Sequence, residues 1–158
     1  MSASALFKLM LLSAVLSLYF ASAQKVNVLP CKNVKQDSTI NEVIITPCPK
    51  LPCIFKKGTN VSVAITFTMD ASAAVASNVT TVVHGIIGGV AVPYPTAYTD
   101  ACKTSGIHCP LKPNDKSVYK AKLYVKPEYP TVELYVKWEL QYQPEKDILC
   151  FEVPAEVM

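Results

Sequence analysis

The most regular pattern in the chain is an alternation of apolar and polar residues with a period of two. In the stretch "VSVAITFTM", residues 61–69, every second position is apolar, and the positions between them are small or polar. The apolar positions are Val61, Val63, Ile65, Phe67 and Met69. This alternation predicts a strand with one face against a core and the other in water.

A second and longer alternation occupies "TVELYVKWELQY", residues 131–142. Its apolar positions are Val132, Leu134, Val136, Trp138, Leu140 and Tyr142. Glu133, Lys137, Glu139 and Gln141 fall on the opposite face. One buried and one solvated face is typical of an antiparallel sheet, so both stretches are interpreted as strands of that kind.

Weaker strand signals fill the rest of the chain. They lie at residues 41–46, 80–92, 118–125 and 148–153, separated by proline-rich or polar turns such as "TPCPKLPC" and "HCPLKPND". Helical periodicity does not appear after the N-terminal segment. Six or seven strands in about 130 residues predict an all-β, antiparallel two-sheet sandwich of the immunoglobulin-like type.

The N-terminal segment has the form of a secretion signal. Lys8 precedes an apolar run over residues 9–20, and Ala21-Ser22-Ala23 fits a signal peptidase site. We therefore expect residues 1–23 to be a signal peptide and residues 24–158 to form one domain, which would be secreted or lumenal.

Charge argues against nucleic acid as a partner. The formal net charge of the whole chain is +3, and it is one unit lower without Lys8. All 15 basic residues are lysines. Without arginine the chain lacks the bidentate group that most often binds phosphates and guanines.

The six cysteines all follow the predicted signal, which favours disulfides over thiol chemistry or zinc. Fifteen pairings are formally possible. Short loops favour Cys48 with Cys53 and Cys102 with Cys109, which leaves Cys31 for Cys150. In a secreted chain the sequons at Asn60 and Asn78 are candidate glycosylation sites, although each also fits a chance match.

Residues for catalysis or metal binding are sparse. The two histidines, His84 and His108, are separated along the chain, and no nucleophile, zinc-protease or phosphate-binding motif occurs. Glu128, Glu133, Glu139, Glu145 and Asp147 are interpreted as surface charges on wet strand faces or in turns. We therefore expect no enzyme activity, no metal and no cofactor.

Taken together, the cysteines and strands resemble the Niemann-Pick type C-two proteins of the ML lipid-recognition family. The similarity rests on the order of six stretches. They are "TPCPKLPC", "KGTNVSVAITFT", "VVHGIIGGVAVPYP", "CKTSGIHCP", "VKPEYPTVELYVKWELQ" and "LCFEVP". The resemblance implies that residues 24–158 form an ML domain. It also implies a seven-stranded sandwich holding one lipid between its sheets, with disulfides 31–150, 48–53 and 102–109.

The same resemblance implies a set of ligand-binding residues. Tyr94, Val125 and Tyr129 match the mouth of the family's pocket, where tyrosine rings can cover a lipid while their hydroxyls stay in water. The inward-facing candidates are Val63, Phe67, Leu134, Val136 and Trp138, with Phe151 at the inner end of the pocket. The alternation alone fits a filled core at these inward positions equally well.

Three positions depart from the vertebrate members of the family. Tyr94 stands in place of phenylalanine, Phe151 in place of a second tryptophan and Ala91 in place of a proline. These changes keep lipid binding as the expectation but leave the ligand open between a sterol, a fatty acid and a semiochemical-like molecule. Divergent arthropod relatives make the last two serious alternatives.

The leading hypothesis is a monomeric carrier that passes its lipid to a membrane or receptor, in extracellular fluid or the lysosomal lumen. The alternative is a secreted immunoglobulin-like recognition or adaptor domain of innate immunity, with a filled core, which acts through its outer surface.

Overall fold

The computed structural model describes residues 23–158, and most of the predicted signal peptide lies outside these described residues. Ten strands and one short helix are present in the described part of the chain. The strands are β1 (Gln24–Lys25), β2 (Leu29–Pro30), β3 (Ser38–Thr46), β4 (Cys53–Phe55), β5 (Asn60–Met69), β6 (Thr80–Ile87), β7 (Val90–Pro93), β8 (Lys116–Tyr124), β9 (Val132–Gln143) and β10 (Lys146–Val157). The helix α1 (Ala101–Thr104) lies between β7 and β8.

The strands form two sheets, which confirms the predicted sandwich. The first sheet has the order β1-β3-β5-β8, and the second has the order β2-β10-β9-β6-β7. All of these pairs are antiparallel, whereas the short β4 adds to β10 in parallel. No helix among residues 23–158 is both long and apolar enough to cross a membrane.

Alternation correctly identified the inward faces of the two principal strands. Every apolar position of β5 from Val61 to Met69 is buried. On β9 the buried positions include Val136, Trp138 and Leu140, while Leu134 is half-buried. β10 is longer than the predicted 148–153, because its pairing with β9 continues to Val157.

The segment at residues 80–92 is a correction to the prediction, because it is a hairpin and not one strand. Gly88 and Gly89 form a two-residue turn with φ of 56° and 83°. Two successive positive φ angles suit the tight turn that joins twisted antiparallel strands, and glycine adopts them without steric strain. The turn folds β7 back onto β6, so residues 90–93 form an edge strand.

The three disulfides are Cys31–Cys150, Cys48–Cys53 and Cys102–Cys109, as predicted. The first joins residues 119 positions apart and ties the loop after β2 to the middle of β10. Asn60 and Asn78 are both exposed, so glycosylation of either remains a prediction that the fold permits.

Two carboxylates contradict the interpretation of the acidic residues as surface charges. Glu139 and Asp147 are buried, whereas Glu128, Glu133 and Glu145 are exposed as expected. Glu139 does lie on the outer face of its strand. That face is covered locally, because the loop before β3 folds over it and Asp37 donates its backbone N–H to the Asp147 carbonyl.

Candidate functional site

A small apolar cavity lies between the two sheets, where β6, β8 and β9 diverge. Its volume is about 90 Å³. Its lining comes from both sheets and from the segments that follow β7 and β8, namely Phe55, Val83, His84, Gly85, Tyr94, Leu123, Tyr124, Val125, Tyr129, Leu134, Val136 and Val157. Most of these side chains are apolar or aromatic, and the His84 imidazole lies toward Glu139 on the outer face of the sheet. The cavity can therefore accommodate an apolar molecule but offers few groups for hydrogen bonds or ion pairs.

Two tyrosines cover the outer end of this inter-sheet cavity. The rings of Tyr94 and Tyr129 meet edge to face, with centroids 6.4 Å apart. The Tyr94 hydroxyl donates a hydrogen bond of 3.0 Å to the carbonyl of Tyr124, which joins the segment after β7 to the end of β8. Tyr94 thus links an edge of each sheet across the mouth.

Partial burial has an electrostatic effect on this hydroxyl. Burial raises the pKa of Tyr94, and the nearby Tyr129 adds to the rise, while the hydrogen bond to Tyr124 opposes it. The Tyr94 hydroxyl is consequently neutral at physiological pH and available as a donor.

An apolar groove continues outward from the mouth. It has a volume of about 290 Å³ and shares Gly85, Tyr94, Tyr129, Leu134 and Val157 with the cavity. The tyrosine rings and Leu134 border both spaces. Displacing these side chains would join them into a volume near the lower end of the range of about 300 to 1000 Å³ that is usual for ligand pockets.

The β6–β7 hairpin borders this groove with an exposed apolar edge. Val90 is 64% exposed and Val92 is 46% exposed. Pro93 and Pro95 flank Tyr94 and supply no backbone donors, which keeps the following segment extended. The hairpin therefore presents apolar side chains to the surroundings beside the mouth.

Five of the nine predicted ligand-binding residues lie together around the cavity. These are Tyr94, Val125, Tyr129, Leu134 and Val136. The other four, Val63, Phe67, Trp138 and Phe151, are buried in the core but do not line the cavity. The ligand-binding role of all nine remains a prediction.

Large aromatic rings fill the core region that contains Phe67, Trp138 and Phe151. Trp138, Tyr119, Phe67 and Phe151 are among the largest fully buried side chains. Tyr119 packs edge to face on Trp138 with ring centroids 5.9 Å apart, and its hydroxyl lies 3.0 Å from Thr81 Oγ1. These rings occupy the interior further along the same strands.

Several lining residues were not predicted from the sequence. Leu123 could have been found, since it alternates with Val125, but Phe55 and Val157 come from a short strand and a strand extension. Gly85 was missed as well. A Cβ atom there would lie 3.0 Å from Leu134 Cδ1, so the absence of a side chain makes room for Leu134.

Comparison with known proteins identifies the family. The family model for the ML domain matches residues 25–157. The chain belongs to the Niemann-Pick type C2 family of ML domains. Mouse NPC intracellular cholesterol transporter 2 is 42% identical over 118 residues, which are 75% of this chain and 76% of the mouse protein. The Drosophila melanogaster homolog a is 45% identical over 108 residues, covering 68% and 71% of the two chains.

A third relative extends the alignment further along the ML domain. The zebrafish NPC intracellular cholesterol transporter 2 is 36% identical over 141 residues, covering 89% of this chain and 91% of that protein. Among solved structures, a Niemann-Pick type C2 protein from Japanese carpenter ant superposes with a TM-score of 0.71 at 23% identity. The match covers 87% of this chain and 99% of the ant protein, and it confirms the fold.

Proposed function

We propose that this ML-domain protein binds one small hydrophobic lipid between its sheets and transfers it to a membrane or receptor. The observation that carries the proposal is the apolar cavity, which continues into a groove bordered by two tyrosines and an exposed apolar hairpin. Relatives named as cholesterol transporters support the same conclusion.

The hydrophobic effect supplies enough free energy for such binding. Burying about 300 Å² of apolar lipid surface stabilises a complex by roughly 7 kcal/mol at about 25 cal/mol per Å². Part of this offsets the widening of a cavity of about 90 Å³. The hydrogen bond between Tyr94 and the Tyr124 carbonyl is the polar contact that such opening breaks at the mouth.

The chemistry of the mouth favours a lipid with one polar end. Once its bond to Tyr124 is broken, the Tyr94 hydroxyl can donate to a new partner at the mouth, either water or a polar group of the ligand. A lipid hydroxyl or carboxylate at the mouth supplies that partner. We therefore propose a sterol or a fatty acid, with the polar group at Tyr94 and the apolar body toward Val136.

The exposed hairpin fits the transfer step. Val90 and Val92 lie beside the mouth, so an apolar acceptor can contact them while the lipid leaves through the groove. The disulfides are consistent with an oxidising compartment, and we propose secretion with action in extracellular fluid or the lysosomal lumen. We further propose that the protein acts as a monomer without enzymatic activity.

Lipid uptake with a cavity-filling variant tests the proposal. Protein delipidated by mild organic extraction is titrated with a fluorescent sterol and a fluorescent fatty acid, and native mass spectrometry counts bound molecules. One molecule should bind, and Val125→Phe should weaken binding at least tenfold because the larger ring occupies the cavity. Val118→Phe is the matched control, since Val118 lies on the outer side of β8 and is 41% exposed.

The first two of the following results would count against the proposal, and the third would count against the choice of variant. Failure to take up either lipid would favour the adaptor function. Undiminished binding by Val125→Phe would remove the inter-sheet cavity from the site. Equal losses in both variants would indicate a general defect of the fold.

A further inference from the structure

A polar cleft lies on the outer face of the second sheet, on the side opposite the inter-sheet cavity. The loop before β3, the end of β9 and the start of β10 enclose a volume of about 370 Å³. Four carboxylates line this polar cleft: Asp37, Glu139, Glu145 and Asp147. The proposed lipid function uses none of them.

Two of these carboxylates are buried and face each other. Glu139 is 5% exposed and Asp147 is 6% exposed. A carboxylate oxygen of one lies within 4.8 Å of an oxygen of the other. The register of β10 against β9 shifts on both sides of Asp147, and such a bulge redirects a side chain that regular pairing would leave elsewhere.

Each of the two residues has a buried oxygen without a hydrogen-bond partner. Asp147 Oδ1 makes no hydrogen bond, nor does Glu139 Oε2, which lies 3.4 Å from His84 Nδ1. Glu139 Oε1 is paired with Lys137 Nζ at 2.8 Å. Buried carboxylate oxygens are normally paired or bound to a metal. His84 Nδ1 has no other partner and faces Glu139 Oε2, so Asp147 Oδ1 is the oxygen that the described protein groups leave unpaired.

The ionisation of Asp147 reflects the same environment. Burial raises the pKa of the Asp147 carboxyl, a hydrogen bond from Gln141 opposes the rise, and the Glu139 charge adds to it. A cation between the two carboxylates would remove their repulsion and compensate for the lost hydration.

We propose that Glu139 and Asp147 form a binding site for a hard divalent cation, for which Ca²⁺ is the best match. Calcium–oxygen distances of about 2.3 to 2.6 Å allow one ion to bridge two oxygens that lie within 4.8 Å of each other. Asp37 lines the same polar cleft but does not belong to the group of donors within 4.8 Å of one another, and Lys35 and Lys146 also line the cleft. Water can fill the remaining positions.

The donor set argues for calcium over zinc. The third potential ligand of the group is Cys150 Sγ, but it belongs to the Cys31–Cys150 disulfide and supplies no thiolate. Oxygen donors alone suit calcium, whereas structural zinc prefers sulfur and imidazole. Lys137 competes for Glu139, so we expect a dissociation constant of about 0.1 to 1 mM, as in extracellular calcium modules.

Calorimetry and thermal unfolding test the site directly. Metal-free protein is titrated with CaCl₂ at pH 7.4, with MgCl₂ as comparison. One calcium should bind, and 10 mM CaCl₂ should raise the melting temperature by about 3 to 6 °C. Asp147→Asn should fold, because it is isosteric and removes a buried charge, but its calcium response should be lost. Glu139→Gln should behave in the same way.

Glu133→Gln is the matched control, since Glu133 is an exposed carboxylate on the same strand. It should keep the full calcium response. Calcium heat or a melting shift that survives in Asp147→Asn would overturn the proposal. So would a wild-type protein that responds to acidic pH but not to calcium, because a proton alone would then satisfy the two carboxylates.

Discussion

The two ends of the sandwich have the same strand pattern but different interiors. Toward Trp138 the space between the sheets is filled by aromatic rings, whereas toward Val125 the side chains are smaller and leave a cavity. Adjacent inward positions of one strand, Val136 and Trp138, belong to different regions. Side-chain volume, and not alternation, decides whether this fold has a core or a cavity at a given level.

The two ends of the sandwich also differ in the contacts at the edges of the sheets. The Cys31–Cys150 disulfide joins the loop after β2 to the middle of β10 within the second sheet, so it does not connect the two sheets. At the cavity end, the sheets are linked across the mouth by the hydrogen bond from Tyr94 to Tyr124. Because this link between the sheets is a single hydrogen bond, breaking it costs only about 0.5 to 1.5 kcal/mol, so we expect opening to occur at the cavity end.

The largest expected effect comes from the Cys31–Cys150 disulfide. Replacing Cys31 and Cys150 by serine should lower the free energy of unfolding by about 4 to 5 kcal/mol, because the disulfide closes a long loop in the unfolded chain. Replacing Cys48 and Cys53, which are five positions apart, should cost about 2 kcal/mol by the same relation. Urea unfolding measures both. Equal losses would contradict the loop-length argument.

Truncation of large side chains should separate the two regions next. Trp138→Ala should lower the free energy of unfolding by about 3 to 5 kcal/mol, because it opens a cavity among packed rings. Leu134→Ala should cost less than about 2 kcal/mol, since Leu134 is half-buried beside existing space. A greater loss for Leu134→Ala in thermal or urea unfolding would show that the cavity end is the better packed.

Gly85 offers a test within the cavity wall. Gly85→Ala places a methyl group 3.0 Å from Leu134 Cδ1 and should push that side chain into the cavity. Lipid affinity should fall about three- to tenfold, or roughly 1 kcal/mol, in a fluorescent lipid titration. Val82→Ala, on the opposite face of β6, should bind normally. Unchanged affinity in Gly85→Ala would mean that Leu134 does not limit the ligand.

The smallest expected effect concerns the hydrogen bond at the mouth. Tyr94→Phe removes the hydroxyl that bonds to the Tyr124 carbonyl and should lower the free energy of unfolding by about 0.5 to 1.5 kcal/mol. Lipid uptake in stopped-flow fluorescence should become several times faster, because opening no longer breaks this bond. An uptake rate equal to that of the wild type would show that Tyr94 does not restrain the mouth.

The sequence was sufficient for the two principal strands but not for every surface. Alternation assigned every second residue from Val61 to Met69 to the core, because successive side chains of a strand point to opposite faces of the sheet. It also assigned Glu139 to solvent, and this was wrong because a loop distant in sequence covers that part of the sheet. Local periodicity carries no information about such a cover.

The candidate site shows a similar division. Tyr94 and Tyr129 were placed at the mouth by their resemblance to the family, and the structure brings their rings together. Trp138 and Phe151 were assigned to the same pocket, yet they lie among packed rings outside the cavity lining. The boundary between the packed core and the cavity depends on the summed volumes of side chains from both sheets. The pattern of a single strand does not contain this information.

A crystal structure of the protein with its copurifying lipid, identified by mass spectrometry, would show directly whether the ligand lies between the sheets. We predict lipid density between the sheets, in contact with Val125 and Leu134, with its polar end at Tyr94 and the Trp138 region unchanged. Lipid density confined to the outer surface, with the inter-sheet cavity still closed, would contradict this prediction.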